Sequence, residues 1–123
     1  MIGIDITPIN RFEKHIKNKN YLKKYLCDDE IKLVNSAQSA AGFFASKEAI
    51  SKALMQGIGK ECSFFDIKIH KTDKNAPYFT LSQKLVQKYK IKNTSLSISH
   101  DGGFAIAVAF IESDLEENLP ISH

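Results

Sequence analysis

No stretch of this chain is long and apolar enough to cross a membrane. The longest uninterrupted apolar run, Phe104–Ile111, is eight residues, whereas a spanning helix needs about 18–20. The opening Met1-Ile2-Gly3-Ile4-Asp5 has no charged n-region and no cleavage site, so no secretory signal is expected. Cysteine is scarce. Cys27 and Cys62 stand 35 positions apart, a spacing that fits no CxxC metal or redox motif. The expectation is two reduced thiols in a cytoplasmic protein. Linkers rich in Gly, Ser or Pro are missing, and so are internal repeats. Charge of one sign is also nearly missing: 17 Lys and Arg against 14 Asp and Glu leave +3. That balance is too weak to imply nucleic acid by itself. Lys84, Lys88, Lys90 and Lys92 form a basic patch, but no RNP-like or helix-turn-helix pattern accompanies them. No nucleic-acid partner and no membrane partner are expected.

What remains is ordinary globular composition. The 123 residues are 43% hydrophobic and 25% charged, which suits a single domain over 1–123. Ile2-Gly3-Ile4-Asp5-Ile6 alternates as a strand does. Thr7 and Pro8 then read as the cap and first position of a helix carrying Ile9, Phe12 and Ile16. Residues 11–24 hold six Lys or Arg against Glu13 alone. Cys27-Asp28-Asp29-Glu30 reads as a second helix start, with acids complementing the dipole. Helix is expected onward to about Met55, interrupted near Ser36–Gly42 and stopped by Gly57-Ile58-Gly59.

Two short strands follow, around Phe65–Ile69 and Pro77–Leu81, then a helix capped by Ser82 with Leu85, Val86 and Tyr89 inward. Leu96 and Ile98 alternate with serines. Asp101-Gly102-Gly103 turns the chain into Phe104–Ile111, apolar on both faces and so expected as a buried return strand that also serves a subunit interface. Composition shifts at residues 112–117, with Glu112, Asp114, Glu116 and Glu117, and the last residues read as a frayed polar tail. The class is α+β, with a mainly antiparallel sheet packed against helices.

Three features could carry chemistry. On a helix, Glu48 and Lys52 sit one turn apart and share a face with Phe44, Ser51 and Met55, beside a small-residue stripe of Ala45, Ala49 and Ala53. Their plainest use is a surface ion pair worth about 0.3–0.5 kcal/mol. The glycines that follow put flexible backbone beside a cation, where N–H groups can approach a phosphate. Asp5 lies at a strand end. It could cap the next helix, or hold a hard cation such as Mg²⁺ together with a second carboxylate, water and phosphate oxygen. His100, in Ser97-Ile98-Ser99-His100-Asp101, falls at a turn and could donate to a phosphate.

Taken in order, Ile2-Gly3-Ile4-Asp5-Ile6, Ala41-Gly42-Phe43-Phe44-Ala45-Ser46-Lys47-Glu48-Ala49 through Ser51-Lys52-Ala53-Leu54, Gly57-Ile58-Gly59 and Ser97-Ile98-Ser99-His100 resemble the holo-acyl-carrier-protein synthase family. This is the short bacterial type of 4'-phosphopantetheinyl transferase, and the similarity runs from residue 2 to about 111. The resemblance implies transfer of the 4'-phosphopantetheine arm of coenzyme A to a serine of apo-acyl carrier protein, in fatty acid biosynthesis, with adenosine 3',5'-bisphosphate as the other product. It implies Mg²⁺ on Asp5 and Glu48, and catalytic roles for Glu48 and Lys52. Coenzyme contacts are implied for Lys47, Lys52, Gly57, Gly59, Pro77 and His100. Arg11 and Lys14 would meet the carrier protein, and the assembly would be a homotrimer with sites between subunits.

The chemistry agrees. Serine attack on a pyrophosphate needs neutralised charge and a positioned nucleophile. The base would be Glu48 or a water on the metal that Glu48 orients. Three positions depart from the family pattern: Phe43 where an arginine is common, Asp101 where a hydroxyl residue is common, and Asn75-Ala76-Pro77 in place of Gly-x-Pro.

Overall fold

The computed structural model describes residues 1–55 and 57–114. The acidic tail beyond 114, with Glu116 and Glu117, lies outside them. Among them five strands, five α-helices and one 3-10 turn follow in order: β1 (Ile2–Pro8), α1 (Asn10–Glu13), α2 (Lys19–Leu22), α3 (Asp28–Ile31), α4 (Ala37–Ala53), the 3-10 turn (Phe64–Asp66), where a strand was expected from Phe65, β2 (Ile67–Lys71), β3 (Pro77–Leu81), α5 (Gln83–Tyr89), β4 (Ile91–Asp101) and β5 (Phe104–Ser113). The strands form two antiparallel sheets, β1-β5-β4 and β2-β3. The expected α+β class with antiparallel pairing holds.

α4 is the core of the molecule. Its small residues, Ala45, Ala49 and Ala53, lie fully buried against Ala105, Ala107 and Ala109 of β5 and against β1. The approach is closest at Gly3. A Cβ there would stand 1.8 Å from the Ala49 carbonyl oxygen and 2.6 Å from the Ala53 nitrogen. Only glycine lets this strand and helix backbone meet. On the other side, Phe12, Tyr25, Phe44 and Phe64 pack edge to face and tilted, with centroids 5.4–6.1 Å apart.

Four expectations are corrected. Thr7 and Pro8 continue β1 and do not start a helix: they pair with Ala105 and Phe104, and Ile9 N–H extends the contact to the Gly103 carbonyl at 2.9 Å. The capping preference of Thr loses to a ladder that β5 completes. The expected interruption near Ser36–Gly42 comes earlier, between the end of α3 at Ile31 and the start of α4 at Ala37. Ser36 is the N-cap of α4, accepting from Ser39 N–H at 3.1 Å, and Gly42 sits inside the helix. Its end comes before the glycines: Met55 adopts the left-handed conformation, φ 63°, and terminates the helix at Ala53. Finally, β5 is buried on one face only. Ala105, Ala107, Ala109 and Ile111 face α4, while Phe104, Val108 and Phe110 join Ile2, Ile4 and Ile6 on an outer face at 39–69% exposure.

Candidate active site

Strand β1 and helix α4 bring the main candidates together. The pleat turns Asp5 and Thr7 toward α4, on the same face as Gly3. Lys52 reaches across to Asp5, its Nζ donating to Oδ1 at 2.9 Å and to the Ile4 carbonyl at 3.3 Å. Thr7 Oγ1 donates to the other oxygen, Oδ2, at 2.8 Å. Lys52 therefore pairs with Asp5 and not with Glu48, its helical neighbour.

Glu48 stands half-buried beside this pair. Burial first, then the negative charge of Asp5, raises its pKa, while Lys52 and Arg11 act in the opposite direction. Its carboxylate has no hydrogen-bond donor among the described residues. Arg11 approaches from α1 with its guanidinium 4.5 Å above the Phe44 ring. Two carboxylates, one of them lacking a donor, are thus held near each other. Among the described residues no group of three or more His, Cys, Asp or Glu gathers to cage a metal. The pair fits Mg²⁺, which keeps several waters and shares one or two carboxylates with substrate phosphates. It does not fit zinc, which needs more nitrogen or sulfur ligands.

His100 lies elsewhere. It sits on β4 opposite Ala105, its Nε2 3.1 Å from the Gln38 carbonyl near the start of α4. A carbonyl only accepts, so Nε2 is the donor in this contact. Two cavities meet at His100. One of about 610 Å³ is lined by Glu13, Asp101 and the β4–β5 turn. The other, about 230 Å³, is lined by Ser36, Phe43, Lys71 and Asn75. Neither touches Asp5, Glu48 or Lys52. Gln38 and Lys52 are 14 residues apart on α4, about 21 Å along its axis.

The remaining candidates divide. Pro77 opens β3, paired with Lys71, close to the smaller cavity. Gly57 and Gly59 follow the Lys52 end of α4, but their N–H groups are engaged by the Ser51 and Cys62 carbonyls. Neither presents a free donor to a phosphate in this conformation. Lys14 caps the end of α1 and lines an open groove with Lys17 and Lys19. Lys47 does not join the site. It is fully buried, its ammonium spent on Glu30 Oε1 at 2.8 Å and on the Tyr25 and Phe64 carbonyls at 2.8 and 2.9 Å. Glu30 in turn accepts from the N–H groups of Cys27 and Ile69, both at 2.8 Å. The pair ties α3, α4 and β2 together and leaves Lys47 no donor for a coenzyme.

Sequence reasoning gave Thr7 and Glu30 only helix-start roles and gave Lys71 none. Thr7 and Lys71 carried a signal: each stands two residues beyond a core-facing position of its own strand.

The comparisons with known proteins follow this geometry. Residues 1–109 match the 4'-phosphopantetheinyl transferase superfamily. A holo-[acyl-carrier-protein] synthase of Nautilia profundicola is 53% identical, covering 90% of this chain and 98% of its own length. The crystal structure of the Helicobacter pylori holo-[acyl-carrier-protein] synthase in complex with coenzyme A superposes with a TM-score of 0.85. It is 53% identical and covers 91% of this chain and all of its own. A Bacillus anthracis holo-(acyl-carrier-protein) synthase structure, 36% identical over 92% of this chain and 96% of its own, gives 0.77. By class this is a 4'-phosphopantetheinyl transferase. Within that superfamily the chain belongs to the holo-acyl-carrier-protein synthase family.

Proposed function

We propose that the chain transfers the 4'-phosphopantetheine arm of coenzyme A to a serine of an apo-acyl carrier protein, with Mg²⁺, releasing adenosine 3',5'-bisphosphate. The observation that carries this reading is the Asp5–Glu48–Lys52 cluster. A serine oxygen bonds to the phosphorus that bears the pantetheine arm. The bond from that phosphorus to the bridging oxygen breaks, and the bisphosphate leaves with the electron pair. Asp5 and Glu48 would hold Mg²⁺, which supplies charge neutralisation on the pyrophosphate. Thr7 keeps the Asp5 carboxylate oriented. Lys52, paired with Asp5 at 2.9 Å in this structure, would contact the pyrophosphate and stabilise the leaving phosphate as charge builds. The serine proton passes to Glu48, directly or through a water that Glu48 orients.

The partners follow from the surfaces. The face of Ile2, Ile4, Ile6, Phe104, Val108 and Phe110 is large and apolar, and a homotrimer covers it. A second copy also answers the separation of His100 from Lys52. The pyrophosphate and the 3'-phosphate of coenzyme A are attached to one ribose, too short to span one copy of α4. The site therefore lies between copies. Arg11 and Lys14 face the carrier protein, with Lys17, Lys19, Lys23 and Lys24 steering an acidic partner. The free cysteines Cys27 and Cys62 accord with a cytoplasmic setting.

The test is transfer measured against Mg²⁺ concentration. Asp5→Ala and Glu48→Ala each abolish Mg²⁺-dependent transfer while the circular dichroism spectrum stays that of the parent. Full activity in either variant removes that carboxylate from the site.

A further inference from the structure

The two oxygens of the Asp5 carboxylate have unlike neighbours. β1 carries Asp5 and Thr7 two residues apart on the face turned toward α4. Thr7 Oγ1 donates to Asp5 Oδ2 at 2.8 Å. That donor is firmly held. Thr7 is 2% exposed, its backbone pairs with Ala105 of β5, and a β-branched side chain is stiff at χ1. A hydroxyl buried to this degree needs an acceptor, and Oδ2 is the one it uses.

Oδ1 instead takes the Lys52 ammonium at 2.9 Å. The Lys52 side chain is half exposed and ends a flexible four-carbon stem. One oxygen is therefore fixed by a buried hydroxyl, and the other meets positive charge on the open side of the site. The number of oxygens a carboxylate gives separates the two common hard divalent cations. Ca²⁺ takes about six to eight oxygens in flexible geometry and accepts both oxygens of one carboxylate; Mg²⁺ demands near-octahedral geometry, which a chelating carboxylate fits poorly.

We infer that Thr7 makes Asp5 a one-oxygen ligand through Oδ1 and thereby sets the site's preference for Mg²⁺ over Ca²⁺. This rests on the proposal that Asp5 and Glu48 hold Mg²⁺. Thr7 acts through Asp5 and is a positioning residue. For Asp5 to chelate, it must give up the Thr7 hydrogen bond and leave a buried hydroxyl without an acceptor. That cost falls on Ca²⁺ and spares Mg²⁺.

Calorimetric titration of the full chain with Mg²⁺ and with Ca²⁺ tests it, at saturating coenzyme A and without carrier protein, so that no turnover contributes. The parent binds Mg²⁺ more tightly than Ca²⁺. Thr7→Val keeps nearly the same shape and the strand preference but has no hydroxyl. It weakens Mg²⁺ binding by about tenfold, in the range for loss of an outer-shell partner, and leaves Ca²⁺ as tight as in the parent or tighter. Thr7→Ser restores the hydroxyl and the preference. A preference unchanged or increased in Thr7→Val, equal losses of both ions included, overturns the inference alone. So does a parent that binds Ca²⁺ as tightly as Mg²⁺, or a Thr7→Ser variant that behaves as Thr7→Val. A parent that binds coenzyme A but neither ion overturns it together with the metal reading of Asp5 and Glu48.

Discussion

Replacing Gly3 by alanine tests whether the proposed catalytic cluster depends on the closeness of β1 to α4. The added Cβ would lie 1.8 Å from the Ala49 oxygen, 2.6 Å from the Ala53 nitrogen and 2.9 Å from the Ala49 carbonyl carbon. All three are backbone atoms, so no side chain can turn aside. Ordinary contact starts near 3.4 Å, so strand and helix must separate locally by about 1.6 Å, an overpacking cost of about 1–3 kcal/mol. Asp5 is two residues along the same strand face. Glu48 and Lys52 each directly precede one of the alanines that Gly3 meets. The same displacement therefore opens the 2.9 Å Asp5–Lys52 contact and pulls the two carboxylates apart. A misplacement of about 1 Å can cost about a hundredfold in rate. Urea unfolding gives the stability change, and single-turnover transfer with a Mg²⁺ titration gives the functional one. The expected result is a lower unfolding midpoint, a weaker Mg²⁺ response and a rate down by about a hundredfold. A variant with the parent's midpoint and rate would refute the reasoning.

Three further outcomes follow from other parts of the structure. Lys47→Met strands Glu30 as a buried unpaired charge and costs about 3–5 kcal/mol in chemical unfolding, while the folded fraction keeps its affinity for coenzyme A. A selective loss of that affinity would return Lys47 to the site. Glu48→Gln stabilises the chain at neutral pH in the absence of Mg²⁺. A raised carboxyl pKa contributes stability below the unfolded value of about 4.3 and loses it as pH rises through the folded value. The gain over the parent thus appears at neutral pH and vanishes in acid; thermal scans across pH that show the same offset at both ends would contradict the cause given for the shift. Val108→Asp, at the centre of the outer apolar face, is expected to dissociate the proposed homotrimer in light scattering and to lower transfer by separating the halves of the proposed inter-copy site. An unchanged mass would show that this face is not the interface.

Much of the fold was legible because its periods are clean. β1, β3, α5 and the β4–β5 hairpin all lie where alternation or helical spacing puts them. The failures have particular causes. Thr7-Pro8 looks like a helix start until β5 pairs with it, and that partner is about 100 residues away in sequence. Met55 takes a left-handed conformation that local preference assigns to glycine. β5 is apolar on both faces, and no single strand tells whether a helix or another copy of the chain covers the second one. At the candidate site, Asp5, Glu48 and Lys52 stood out by type and position, but the pairing of Lys52 with Asp5 joins residues 47 positions apart and no spacing shows it. Lys47 received its coenzyme contact from the resemblance, and the structure instead buries it against Glu30. Five residues of α-helix rotate Lys47 about 140° away from Lys52, and it falls in line with Phe43, Ile50 and Leu54, all buried. Glu30, its partner, lies 17 residues upstream, beyond any local pattern.

Intact-mass spectrometry of an apo-acyl carrier protein, incubated with this enzyme and coenzyme A, addresses the central claim most directly. With Mg²⁺ the carrier protein gains the mass of one phosphopantetheine arm, and adenosine 3',5'-bisphosphate appears in equal amount; without Mg²⁺ neither is seen. A carrier protein that stays at its starting mass under conditions where coenzyme A binds and Mg²⁺ is present would contradict the account.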